Sequence, residues 1–223
     1  MAIQFDLGQE AAGLLSKSYT LKKQDIGKDA KLSKQGITML PESYEIEGIG
    51  HLCILNMKVM FGMMKMATVV IAPQDKDLPL MNLDWVHAGG KETLYAELYD
   101  TQLAPVSEER LAAFQEIKEK DADLLDVESE PRWYDPILYP CSYRKNGKGI
   151  GERLALTARA YLTSYVTWLA DAPTCDTDAK RAKNKAFAAT LLEKGGPAVN
   201  QVTKLFGAET AARLVLSHMY GVE

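Results

Sequence analysis

Apolar and polar positions follow two different rhythms along this chain. In the first stretch, Leu7, Ala11, Leu14, Leu15 and Ser18 recur close to helical spacing, which predicts a helix from Phe5 to about Lys22. A polar stretch rich in Lys, Asp and Gly, Lys22 to Gln35, reads as a mobile loop. From about Ser43 to Asp100 the rhythm shortens. Tyr44 and Ile46, His51 to Met60, Met64 to Ala72, Leu80 to Val86 and Thr93 to Tyr99 form brief apolar runs, punctuated by Gly48, Gly62, Pro73, Pro79, Gly89 and Gly90. Such runs predict consecutive strands, and their short links predict antiparallel pairing. Leu94, Ala96 and Leu98 alternating with Tyr95, Glu97 and Tyr99 mark a strand whose two faces differ.

Helical spacing returns after Pro105. Ser107 with Glu108 and Glu109 predicts a helix start, the acids favouring the positive end of the dipole, and the helix is expected to reach about Leu125. A Pro- and aromatic-rich connection, Pro131 to Pro140, leads to an expected last strand, Cys141 to Arg144. A long helix follows to about Ala170, with Leu154, Ala158, Tyr161, Leu162, Tyr165 and Leu169 on one face. Asp176 opens another, ended by Gly195-Gly196-Pro197, and two more complete the chain around Gly207. Helices on both sides of a central antiparallel sheet predict a three-layer α/β/α sandwich, one domain over residues 1–223.

Bulk properties narrow the partners. The 223 residues are 47% hydrophobic and 25% charged, enough for one sizeable core. A net charge of -4 argues against general nucleic-acid binding, which requires a basic face. No apolar run approaches the ~20 residues of a membrane span, and Met1-Ala2-Ile3-Gln4-Phe5-Asp6 lacks the blocks of a signal peptide. Cys53, Cys141 and Cys175 are dispersed and odd in number, which suits a reducing compartment. These features predict a cytoplasmic protein without nucleic-acid or membrane partners.

Few residues invite chemistry. Gly147-Lys148-Gly149-Ile150-Gly151 fits neither phosphate-binding spacing and reads as a loop with a helix start. His51, His87 and His218 show no metal-ligand spacing. Met57, Met60, Met63, Met64 and Met66 read as flexible core filling, with a polarizable wall for a large flat ligand as the alternative. Asp84 stands out as a carboxylate within the apolar run Leu80-Met81-Asn82-Leu83-Asp84-Trp85-Val86. Facing inward, it would be held neutral by burial and suited to donate a proton. Facing outward, or paired with a lysine or arginine, it would be inert. In a regular strand Asn82 shares its face and His87 does not.

Three segments resemble the ferredoxin-dependent bilin reductases and the related red chlorophyll catabolite reductases. The first is Leu78-Pro79-Leu80-Met81-Asn82-Leu83-Asp84 with Gly89-Gly90 and the strand ending Tyr99-Asp100. The second is Ile137-Leu138-Tyr139-Pro140-Cys141-Ser142-Tyr143-Arg144, and the third Val202-Thr203-Lys204-Leu205-Phe206-Gly207-Ala208-Glu209 with Ala212-Arg213. The resemblance implies an α/β/α sandwich holding a linear tetrapyrrole between the sheet and the C-terminal helices. It implies an oxidoreductase that takes electrons from ferredoxin and binds no metal or flavin. By resemblance Asp84 is the central-strand proton donor and Arg144 pairs with a substrate propionate; Asn82, sharing a face with Asp84 in a regular strand, is expected to line the same pocket. Departures accompany it. Where some members carry a histidine this chain has Met66-Ala67-Thr68, where some carry a glutamate it has Ile54-Leu55-Asn56, and where others carry an aspartate it has Gly195-Gly196-Pro197. These losses leave open a second reading, a protein that binds a bilin or haem without reducing it.

Overall fold

The computed structural model describes residues 5–223; residues 1–4, part of the segment read above for a signal peptide, lie outside them. Among the described residues nine strands form one antiparallel sheet: β1 (Leu21–Lys23), β2 (Leu32–Lys34), β3 (Ile37–Ile46), β4 (Gly50–Val59), β5 (Met64–Pro73), β6 (Leu80–Ala88), β7 (Lys91–Tyr99), β8 (Leu125–Asp126) and β9 (Tyr143–Lys148). They lie in the order β1-β3-β4-β5-β6-β7-β9-β8, with β2 also pairing β3. The centre is a meander, because the links between β3 and β7 are too short for anything but hairpins.

Helices α1 (Leu7–Leu15), α2 (Glu108–Glu119) and α3 (Gly151–Asp171) cover one face. Their core includes Leu15, Leu52, Val69, Met81, Leu83, Leu94, Tyr161 and Leu169. Gly8 lets α1 lie against β4, since a Cβ there would sit 2.5 Å from Ile54 Cγ2. The other face carries α4 (Thr177–Lys194), α5 (Pro197–Phe206), α6 (Ala208–Ala212) and a π-helical segment, Arg213–Met219. That layer closes on Cys53, Leu55, Val70, Leu80 and Tyr99. The architecture is the α/β/α sandwich that the pattern predicts.

Several boundaries differ. The first helix stops at Leu15, and Leu21–Lys23 pairs with β3 instead of continuing it. Ser16, Ser18 and Thr20 are weak helix formers that compete for backbone hydrogen bonds, and the open edge of β3 offers a ladder. The expected loop Lys22 to Gln35 is structured, with a 3₁₀ turn at Gly27–Ala30 and β2 after it. Buried Asp29 anchors that turn by accepting from Arg213 Nε at 2.9 Å and Nη2 at 3.1 Å, with His218 Nε2 at 3.1 Å. The Arg213 hydrogen bonds foremost, with the His218 contact, hold the Asp29 carboxyl down at about 2 against the opposing pull of burial. The helix after Ser107 ends at Glu119, and Leu125 belongs to β8. The last long strand begins at Tyr143 and runs to Lys148, so Arg144 lies near its start, opposite Tyr95.

A cavity between the sheet and the C-terminal helices

Asp84 sits in mid-β6 with Thr68 of β5 and Tyr95 of β7 as its cross-strand neighbours. Strand alternation turns Leu80, Asn82, Asp84 and Val86 toward the C-terminal helices, while Met81 and Leu83 pack against the opposite layer. Asp84 therefore faces a cavity of about 530 Å³. Its floor is β3 to β7; its roof is Phe187 and Leu191 of α4, Val199 and Val202 of α5, and Leu214, Met219 and Tyr220 beyond. The volume lies within the range of small-molecule sites, ~300–1,000 Å³.

Most of the wall is apolar. Met57, Met64 and Met66 line the cavity, whereas Met60 and Met63 are exposed at the turn beyond it. The expectation of methionine core filling is thus corrected. Alternation sends Met57, Met64 and Met66 to the cavity side, and the turn carries the other two off the sheet.

The polar groups gather around Asp84. Thr68 Oγ1 donates to Oδ1, and Asn82 Nδ2 donates to Oδ2 at 2.8 Å. Burial pushes the Asp84 carboxyl up to about 6; the Thr68 and Asn82 hydrogen bonds oppose it, the Glu97 charge adds to it, and Arg132 subtracts. Asp84 is only half-buried by its accessible surface. The surface it retains faces the cavity, so a bound ligand would strip away the remaining water. Tyr220 stands opposite; burial, then the negative field of Asp84, raise its phenol and keep it protonated.

Arg144 does not line the cavity. Its Nε donates to Glu97 Oε1 at 2.7 Å and its Nη2 to Asp135 Oδ1 at 2.8 Å, which fixes the guanidinium in an internal network. Tyr99 completes that network by donating to Glu97 Oε2 at 2.5 Å. The arginine that reaches the cavity wall is Arg132, from the connection before the 3₁₀ turn Asp135–Ile137. Its guanidinium lies 5.6 Å from the ring centres of Tyr95 and Tyr134 and donates to Tyr134 Oη at 2.7 Å. Among the described residues it makes no ion pair with a carboxylate. His87 points to the opposite side of the sheet and meets Glu92 at 3.0 Å.

Sequence reasoning missed Arg132, Glu97, Thr68 and Tyr220. Glu97 could have been found, since its parity in the Tyr95-Ala96-Glu97-Leu98-Tyr99 alternation is that of the cavity face. Thr68 becomes visible only through the register of β5 on β6. Arg132 lies in an irregular segment where no period assigns a side-chain direction. Among the described residues no group of three or more His, Cys, Asp or Glu side chains is placed to hold a metal ion.

No family model matches this chain, and no curated protein matches its sequence. Among solved structures it is similar to phytochromobilin synthase from tomato, determined in complex with biliverdin. The TM-score is 0.71 at 14% identity, covering 97% of this chain and 83% of that one. The likeness establishes a shared fold.

Proposed function

We propose that the cavity binds a linear tetrapyrrole and that the protein reduces it, with ferredoxin supplying electrons singly and Asp84 supplying a proton. The observation that carries this reading is the methionine-rich cavity with the Asp84 carboxyl, raised by burial to about 6, at its floor. It is supported by the shared fold with a phytochromobilin synthase solved with biliverdin. A tetrapyrrole is large, flat and mostly apolar, and soft methionine side chains adapt to such a shape. Each double bond reduced takes up two electrons and two protons; Asp84 can give one proton only from its protonated form, which burial provides below about pH 6, and solvent supplies the other.

Arg144, assigned to a propionate by resemblance, is already neutralised by Glu97 and Asp135. Arg132 is the better placed anchor, because its guanidinium lines the cavity and is stacked rather than ion-paired. Asn82 both holds Asp84 and contributes wall.

The test is spectroscopic. Biliverdin mixed with the protein should shift its long-wavelength absorption, and reduced ferredoxin should then convert the bound pigment to a new species. The absence of any shift on mixing would sink the reading. A shift with no conversion would leave the alternative, a binding protein. That alternative draws on one observation: Thr68 stands opposite Asp84 in the region where some bilin reductases carry a histidine, which removes a proton carrier.

A further inference from the structure

One end of the sheet combines features that the cavity does not use. The β4–β5 turn presents Met60, Phe61 and Met63 to solvent, 59%, 96% and 72% exposed. Large apolar groups left bare together mark contact surfaces. Met60 and Phe61 also adopt left-handed backbone, φ 50° and 57°, a strained state for non-glycine residues. The turn is held there because Phe61 N–H donates to Gly36 O at 3.2 Å in the neighbouring β2–β3 hairpin.

Around this turn stand five exposed lysines. Lys34 ends β2, Lys58 and Lys65 flank the turn, Lys91 opens β7 and Lys148 ends β9. In register, Lys58 faces Lys65 and Lys91 faces Lys148, so the charges ring one end of the sheet. Within segments 34–37, 58–65, 87–92 and 147–149 the one acid is Glu92, which is engaged by His87. The lysines that form ion pairs among the described residues are others: Lys22, Lys23, Lys145, Lys180, Lys183 and Lys185. A chain with net charge -4 therefore carries a concentrated positive end.

We infer that this end docks on an anionic lipid surface, with Met60, Phe61 and Met63 entering the interface and the lysine ring contacting headgroups. The composition favours a bilayer over a protein. Protein interfaces are enriched in arginine and depleted in lysine, and this ring is all lysine. A protein partner must also supply a pocket for Phe61, whereas a bilayer accepts a projecting ring anywhere. Lysine stems can lie along the acyl boundary while their ammonium groups stay in water. An apolar insertion combined with a basic cluster is the two-signal arrangement that gives stable peripheral attachment. Such attachment needs no spanning helix, and none of the described helices is long and apolar enough to span. The sequence-based expectation of no membrane partner rested on the lack of a spanning run and of signal-peptide blocks, neither of which bears on peripheral attachment. Ile37, Val59 and Met64 from the same turns line the cavity, so docking would set the cavity wall against the bilayer.

The inference does not depend on the proposed tetrapyrrole chemistry, and its test uses no pigment. Co-sedimentation of the full chain with vesicles of equimolar phosphatidylcholine and phosphatidylserine is expected to show binding that weakens with salt. Binding to phosphatidylcholine alone is expected to be much weaker. Lys58→Glu with Lys65→Glu should lower the partition coefficient about tenfold or more, since each lysine near an anionic surface is worth roughly fivefold. Phe61→Ser with Met63→Ser should lower it by a similar factor while leaving the melting temperature unchanged. No binding to the mixed vesicles at low salt would overturn the inference, as would binding unaffected by either variant. Salt-dependent capture of an acidic protein such as ferredoxin, lost in the lysine variant while vesicles never bind, would assign the surface to that partner instead.

Discussion

Asp84 balances burial against two donated hydrogen bonds, and the balance sets its working pH. In the proton-donor role proposed for it, Asp84 would act in its neutral form, so turnover of bound pigment should be highest below about pH 6 and fall as pH rises through that value. Thr68→Val removes one hydrogen bond to the charged form and should move the falling limb of the pH–rate profile to higher pH. An unmoved limb would show that another group controls the rate. Asp84→Asn should lower turnover by about 10²-fold or more while biliverdin still produces its spectral shift. The same substitution has a second consequence. The folded-state carboxyl lies at about 6 against an ordinary 3.8, so its contribution to stability is full below the lower value and is lost as pH rises through the upper. Asparagine escapes that loss, and urea unfolding should find the variant more stable by on the order of 1–3 kcal/mol near pH 8 and little changed near pH 4. Asp84 was legible in the sequence because one carboxylate interrupts an apolar strand. Arg132 was not, because an irregular Pro-rich segment has no period from which to read a direction. Arg144 showed the right residue type, but its pairing with Glu97 and Asp135 depends on strand register and on a loop packed over it.

Among the elements, the junction of β6, β7 and α4 rests on one fully buried cation. Lys180 Nζ donates to Leu78 O and to Thr101 O, each at 2.6 Å, and thus ties the segment entering β6 and the one leaving β7 to the helix that roofs the cavity. Burial lowers its ammonium to about 8 despite the nearby Asp77. Lys180→Met keeps the bulk but leaves both carbonyls without this donor, and should cost about 2–4 kcal/mol in urea unfolding. A loss below that range would mean that the carbonyls find water. The sheet meander was readable as elements because β4 to β7 are long, apolar and separated by Gly and Pro. β1 and β2 were not, since each is three residues at a polar edge, where tertiary pairing rather than side-chain pattern creates the strand. Lys180 itself reads in sequence as one more solvated helix charge, and only the packed structure reveals its enclosure.

For the molecule as a whole, binding in the cavity should appear as linkage. A ligand at a hundred times its Kd stabilises the fold by about 2.7 kcal/mol. For a chain of this size that corresponds to a melting temperature raised by roughly 5–10 °C. Biliverdin should produce that rise, and a failure to raise the melting temperature at saturating pigment would contradict binding to the folded state. The layering also has a consequence during synthesis. Every strand is complete by Lys148, whereas the cavity roof spans Phe187 to Tyr220. A growing chain emerges N-terminus first. The face bearing Leu55, Val70, Leu80 and Tyr99 must therefore wait bare while α3 and α4 are still being made. Pigment cannot shelter that face at this stage, because the pocket that would hold it does not yet exist. Any ligand of the cavity therefore meets only a chain whose roof helices have already been made.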